Sequence, residues 1–279
     1  MIKKIIGLAI VLVMIIGFSV PAQAAGISIQ NTSLTSTFPT SIKFNISAQS
    51  SSPITDIRLH YSVEQTGFIN VTAEGIAQFT PASSVTTSWT WDMVRSGGLP
   101  TGTVIDYWWT VKDKSGASSS TTPAKVNFDD TRYKWQEITA GYINMYWYSG
   151  SQSFANTLMT TAQNALTSLE KSTGANLKRP VNLYIYGSTS DLQGSMIYPQ
   201  DWTGGVTFAQ YGTIAIGIST SQLTWGEGAI AHELTHLVIH QITENPYDDI
   251  PPWLDEGLAM YNQGPLDTPF VSALNTAIS

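Results

Sequence analysis

From Gly26 to about Phe128, apolar and polar residues alternate in short runs separated by Ser, Thr, Gly and Pro. Ile42, Phe44 and Ile46 alternate with Lys43, Asn45 and Ser47, and Ile57, Leu59, Tyr61 and Val63 alternate with Arg58, His60, Ser62 and Glu64. A period of two is the mark of a strand with one buried face. Trp89 and Trp91 repeat it, as do Ile105, Tyr107, Trp109 and Val111, whose run closes in the hairpin-like turn Lys112-Asp113-Lys114-Ser115-Gly116. Several such strands at regular spacing predict a β-sandwich. On this reading His60 is a solvated surface histidine, and Trp108 is a packing residue rather than a sugar platform.

After Asp129-Asp130 the pattern becomes mixed. Trp135 to Tyr148 reads as two strands around Ala140-Gly141. Ser153 to Lys171 reads as a helix with Phe154, Leu158, Ala162, Ala165, Leu166 and Leu169 on one side. Val181 to Tyr186 is a strand, and Val206 to Ile218 gives two more that turn near Tyr211-Gly212. Thr224 is placed to cap a helix from about Gly226 to Thr243, ended by Asn245-Pro246. Pro251-Pro252 opens another helix to about Tyr261, since proline is tolerated in a first turn where its missing N–H has no partner to lose.

Composition narrows the function. A net charge of −7 argues against nucleic acid, which is held by Lys and Arg neutralising phosphate. Charged residues are 12%, and nine Trp and twelve Tyr fit a strand-rich extracellular chain. Lys3 and Lys4, the apolar run Ile5 to Val20, Pro21 and then Ala22-Gln23-Ala24 read as a signal peptide over residues 1–24, cleaved near Ala24-Ala25. The expected mature protein is secreted and has no stable membrane anchor. With no cysteine there is no disulfide framework and no thiolate metal site, so any metal must be held by His, Asp and Glu. Asn31, Asn45 and Asn70 open Asn-X-Ser/Thr triplets, which arise often by chance in a chain rich in Ser and Thr.

The candidate chemistry lies at His232-Glu233-Leu234-Thr235-His236. On a helix, residues four apart fall within about 40° of one another, so both imidazoles can reach one ion, with Glu233 beside them as a base. Three protein ligands leave the fourth position of a tetrahedral zinc site open, so a third ligand is needed. Glu256, in the first turn of the helix after Pro251-Pro252, is the choice; Asp248, Asp249 and Asp255 compete.

His232-Glu233-Leu234-Thr235-His236, nineteen intervening residues and then Glu256 within Trp253-Leu254-Asp255-Glu256-Gly257-Leu258-Ala259 resemble the gluzincin group of metallopeptidases. The spacing is similar to that of the thermolysin family. The W-L-x-E-G-x-A segment resembles aminopeptidase N and, more closely, the bacterial peptidase MA-like family. The amino-terminal stretch resembles a fibronectin type III or immunoglobulin-like module in pattern alone. The resemblance implies His232, His236 and Glu256 as ligands of one Zn²⁺ ion and Glu233 as general base, acting on a peptide or protein substrate through a metal-activated water.

The expected architecture is therefore a β-sandwich over 25–130 followed by an α+β zincin-like metallopeptidase domain over 131–279. A non-catalytic or weakly active binding or adhesion protein with a degenerate zincin domain is the rival, and a hydrolase of non-peptide amides is a second. The sequence departs from the family pattern in several places. Met260 stands where thermolysin-like enzymes carry an acidic residue, leaving the group that orients His232 unidentified. The metzincin glycine and third histidine would fall at Ile239 and Ile242. His240 is expected near the metal or at the surface, and Tyr211, Tyr261 and His240 are the candidate oxyanion donors. Asp255→Asn is expected to be mild. Gluzincin-like domains continue well past the third ligand, whereas sixteen residues follow Gln263 here. The expectation is thus a truncated or unusually short member, with a cleft open on one side and an apolar patch formed by Phe270, Val271, Leu274 and Ile278 exposed there.

Overall fold

The computed structural model describes residues 26–65, 71–243, 250–266 and 268–278. The signal-peptide segment, Asn70, Asn245-Pro246, Asp248 and Asp249 lie outside the described residues. Among the described residues no helix is long and apolar enough to cross a membrane.

The first part holds strands β1 (Ser28–Thr37), β2 (Ser41–Val63), β3 (Ala73–Ile76) and β4 (Ala82–Asp92), the short helix α1 (Met93–Ser96), then β5 (Thr103–Asp113), β6 (Ser118–Ser120) and β7 (Ala124–Phe128). The two strands read at 42–47 and 57–64 are one long strand, β2. Its first half pairs antiparallel with β1 and β4, its second half with β3 and β5, and the register slips between Gln49 and Asp56. Pro53 lies in that slip, where its missing N–H interrupts a regular ladder. Ile42, Phe44 and Ile46 from one half and Ile57 and Leu59 from the other are buried in a common core with Ile105, Trp109 and Val111. His60 is not a solvated surface residue. Its ring stacks on Trp108 at 5.1 Å, and its Nε2 lies 3.0 Å from Thr110 Oγ1, so Trp108 packs as expected.

The second part is built on a five-stranded sheet of order β11-β12-β10-β9-β8. Strands β8 (Gln136–Ala140) and β9 (Ile143–Trp147) form a hairpin. Helix α2 (Gln152–Thr173) crosses over to β10 (Val181–Tyr186), which runs parallel to β9. Ser151 caps α2 by accepting from Phe154 N, and Gly174 ends it at φ +74, a left-handed conformation that glycine adopts at little cost. Helix α3 (Thr189–Gln193) leads to β11 (Gly205–Phe208), a 3₁₀ turn at Ala209–Tyr211 and β12 (Thr213–Gly217). Strand β12 is parallel to β10, and β11 and β8 are the antiparallel edge strands. Among the described residues three helices follow: α4 (Leu223–Thr243), α5 (Pro252–Gln263) and α6 (Thr268–Ile278).

Both faces of this sheet are covered, as a parallel core requires. On one face Met145, Trp147, Leu183, Ile185, Ile214 and Ile216 share a core with Leu158 and Ala162 of α2 and Ile230, Leu234 and Leu237 of α4. The other face carries a cluster of Tyr133, Trp135, Tyr146, Tyr148, Tyr184 and Tyr186, in which Tyr133 and Tyr148 stack at 3.9 Å. Tyr148 donates to Asp191 Oδ2 at 2.7 Å, and Tyr186 donates to the fully buried Asp130 at 3.1 Å.

Burial holds the phenols of Tyr148, Tyr184 and Tyr186 well above the usual tyrosine range. A phenol raised on folding contributes stability that is present below its unfolded pKa of about 10 and is lost as pH rises toward the folded value. In an alkaline titration followed at the phenolate absorbance, these three are expected to ionise only as the near-ultraviolet circular dichroism collapses. Ionisation of all twelve tyrosines in one step near pH 10 with the fold intact would contradict this packing.

Candidate metal centre

Helix α4 packs against α2, α5, β11 and β12, which is why its sequence is apolar on nearly every side. It begins at Leu223, so Thr224 lies inside the helix rather than capping it; Gly226 N already donates to Gln222 O. His232 and His236, one turn apart, turn toward α5. Their Nε2 atoms are 3.1 Å apart. Glu256, in the first turns of α5, brings Oε2 to 3.4 Å from His232 Nε2 and 3.8 Å from His236 Nε2.

These spacings pass a simple test. Ligands about 2.0–2.1 Å from a tetrahedral zinc ion stand about 3.3 Å from one another. The three donor atoms, separated by 3.1 to 3.8 Å, surround a position an ion can fill without rearrangement of the side chains. Among the described residues this is the one group of three or more His, Asp or Glu side chains so disposed. The donor set of two imidazoles and one carboxylate suits zinc and leaves a coordination position open.

The far nitrogen of each ring faces a partner, by a hydrogen bond at His232 and by an ion-pair distance alone at His236. His232 Nδ1 lies 3.0 Å from Gln263 Oε1. His236 Nδ1 lies 3.0 Å from Asp255 Oδ2, an ion-pair distance without hydrogen-bond alignment. The bond at His232 Nδ1 favours the tautomer that presents Nε2 to a metal. Asp255 Oδ2 also lies 3.2 Å from His240 Nε2, so one carboxylate serves two turns of α4. Neither partner was found from the sequence. The signal for Gln263 is its place seven residues, or two turns, after Glu256; the signal for Asp255 is the His236 and His240 pair one turn apart on the facing helix. Asp255 is 17% exposed against 61% for Glu256 and is turned onto these histidines, a placement that the expectation of a mild Asp255→Asn did not include.

Glu233 is 9% exposed and adjoins the cluster. Burial raises its carboxyl pKa, opposed by a bond from Thr207 and by the neighbouring histidines. Thr207 Oγ1 lies 2.7 Å from Glu233 Oε2 and 2.9 Å from the Glu233 carbonyl oxygen. A cavity of about 270 Å³ opens beside His232 and Glu256, walled by Met260, Gln263, Gly264, Pro265, Leu266 and Phe270. None of the three candidate oxyanion donors lines this cavity: Tyr211 packs against the core of the first sheet, His240 is held by Asp255, and Tyr261 is exposed on α5. Phe270, Val271, Leu274 and Ile278 are exposed along α6, which buries no residue.

Residues 161–279 match the Peptidase MA superfamily. The match covers α4, α5 and α6 and supports a zincin-like peptidase domain there. No curated protein matches the chain. Among solved structures, OgpA from Akkermansia muciniphila is 8% identical with a TM-score of 0.29, over 38% of this chain and 28% of that one. A family 56 carbohydrate-binding module, a β-1,3-glucan binding domain, is 14% identical with a TM-score of 0.21, over 37% of this chain and 99% of that one. BC0361, a polysaccharide deacetylase from Bacillus cereus, is 10% identical with a TM-score of 0.28, over 70% of this chain and 65% of that one. The chain spans less than a third of the OgpA structure it matches, and likenesses at these TM-scores carry no argument about fold or function.

Proposed function

We propose that this chain is an exported zinc-dependent metallopeptidase in which His232, His236 and Glu256 hold one ion and Glu233 is the general base. The observation that carries the reading is the convergence of three donor atoms within 3.8 Å, with the far nitrogen of each imidazole facing a partner and a buried carboxylate alongside. Bound there, zinc supplies Lewis acidity toward a scissile carbonyl and toward water. Glu233, its carboxyl pKa raised by burial, takes the proton of the attacking water and returns it to the leaving nitrogen. The free edge of β11 runs beside Glu233 and offers main-chain groups to an extended peptide. The amino-terminal run to Ala24 supports export, and the two separate cores support a sandwich module over 25–130 ahead of a catalytic domain over 131–279.

A second reading, a binding protein with weak turnover, is favoured by one observation: among the described residues no Tyr, Arg or Lys walls the cavity to steady an oxyanion. Metal analysis and casein cleavage, each with and without a chelator, decide the matter. One zinc per chain and chelator-sensitive cleavage are expected. Zinc without cleavage favours the second reading, and a chain that takes up no zinc overturns both.

A further inference from the structure

Strand β11 meets the Glu233 carboxylate at both of its oxygens. Thr207 Oγ1 lies 2.7 Å from Oε2. Gly205 faces the other oxygen so closely that a Cβ there would come within 2.6 Å of Oε1. The Thr207 hydroxyl also lies 2.9 Å from the Glu233 carbonyl oxygen, so its single proton has two acceptors on the same residue.

We propose that Thr207 is a positioning residue for Glu233: its hydroxyl holds Oε2, over a strand kept bare at Gly205, and so fixes the direction in which the carboxylate accepts and returns the proton. The inference rests on the reading of Glu233 as the base. A carboxylate has two equivalent oxygens, and rotation about its last bond is soft. Proton transfer needs one of them within hydrogen-bond reach in a fixed direction. A bond from a hydroxyl to an ionised oxygen is short and strong enough to choose which one is held. At 9% exposure Glu233 has little access to solvent that could do the same, which leaves the task to the neighbouring strand.

The test compares Thr207→Val, which keeps the shape and removes the donor, with Thr207→Ser, which keeps the donor. In the zinc-loaded protein, Thr207→Val is expected to lower kcat about 10- to 100-fold, the scale of a misplaced catalytic group, with KM and zinc content unchanged. Thr207→Ser should recover most of that loss. A valine variant with wild-type kcat overturns the proposal, as does a serine variant as slow as the valine one or a loss of zinc in step with turnover. The contact is also read in the metal-free protein, from the melting temperatures of Thr207→Val, Glu233→Ala and the double variant. A shared contact makes the two shifts less than additive, and strict additivity overturns the clamp. If the wild-type chain binds zinc and cleaves no peptide, the proposed function fails while the melting cycle still decides the role of Thr207.

Discussion

Glu233→Gln is expected to keep one zinc ion per chain and to lose about 10²- to 10⁴-fold in turnover, the usual contribution of a positioned general base. The amide is nearly isosteric with the carboxyl, can still accept from Thr207 and makes no claim on the metal, so only the proton acceptor is removed. His232→Ala and His236→Ala should behave in the opposite way, because their Nε2 atoms are two of the three donors around the metal position. Each should abolish stoichiometric zinc, and turnover should fall with it. The pair of measurements separates affinity from chemistry. Zinc retained after both histidines are removed would place the ion elsewhere, and an active Glu233→Gln enzyme would assign the base to another group.

The second large effect is expected on α5. Glu256→Ala removes a donor and should weaken zinc most, while Asp255→Asn should weaken it about 10- to 100-fold, the range typical for partners of metal-bound histidines. A carboxylate beside the far nitrogen of a metal-bound imidazole makes it a better donor, and an amide carries no charge to do so. A competition titration with a chromophoric chelator gives both values. Equal affinities for Asp255→Asn and wild type would restore the expectation drawn from sequence and reduce the Asp255 contact to packing. A larger loss at Asp255 than at Glu256 would exchange their roles.

Elements whose signal is local could be read from the chain. Val181 to Tyr186 is β10 with the boundaries expected, and the turn at Ala140-Gly141 lies between β8 and β9, because alternation and turn residues act over a few positions. His232, Glu233 and His236 share a face through helical periodicity alone. Residues whose placement depends on how separate elements lie together could not be read. Thr207 comes to Glu233 from an edge strand 26 residues earlier, and Gln263 comes to His232 from the end of another helix. Tyr211 stays out of the cavity lining for the same reason: the turn that carries it packs on the first sheet. The two strands that proved to be β2 show the converse, since a sequence break at Ser50-Ser51-Ser52-Pro53 shifts the register of a strand without ending it.

Helix α5 fully buries only Ala259, with Leu258 and Met260 half-buried beside it. Its attachment is polar and falls largely on the site itself: Asp255 to His236 and His240, Glu256 to His232, Gln263 to His232, and Asn262 to Thr235. Seating α5 and binding an ion are therefore one linked equilibrium, in which each favours the other by mass action. An ion joining both helices acts as a removable pin. On the proposed function, losing that ion would favour the lifting of α5 from α4 while the sheet and α4 beneath stay closed, so the metal would govern which part of the molecule opens as well as what chemistry it performs.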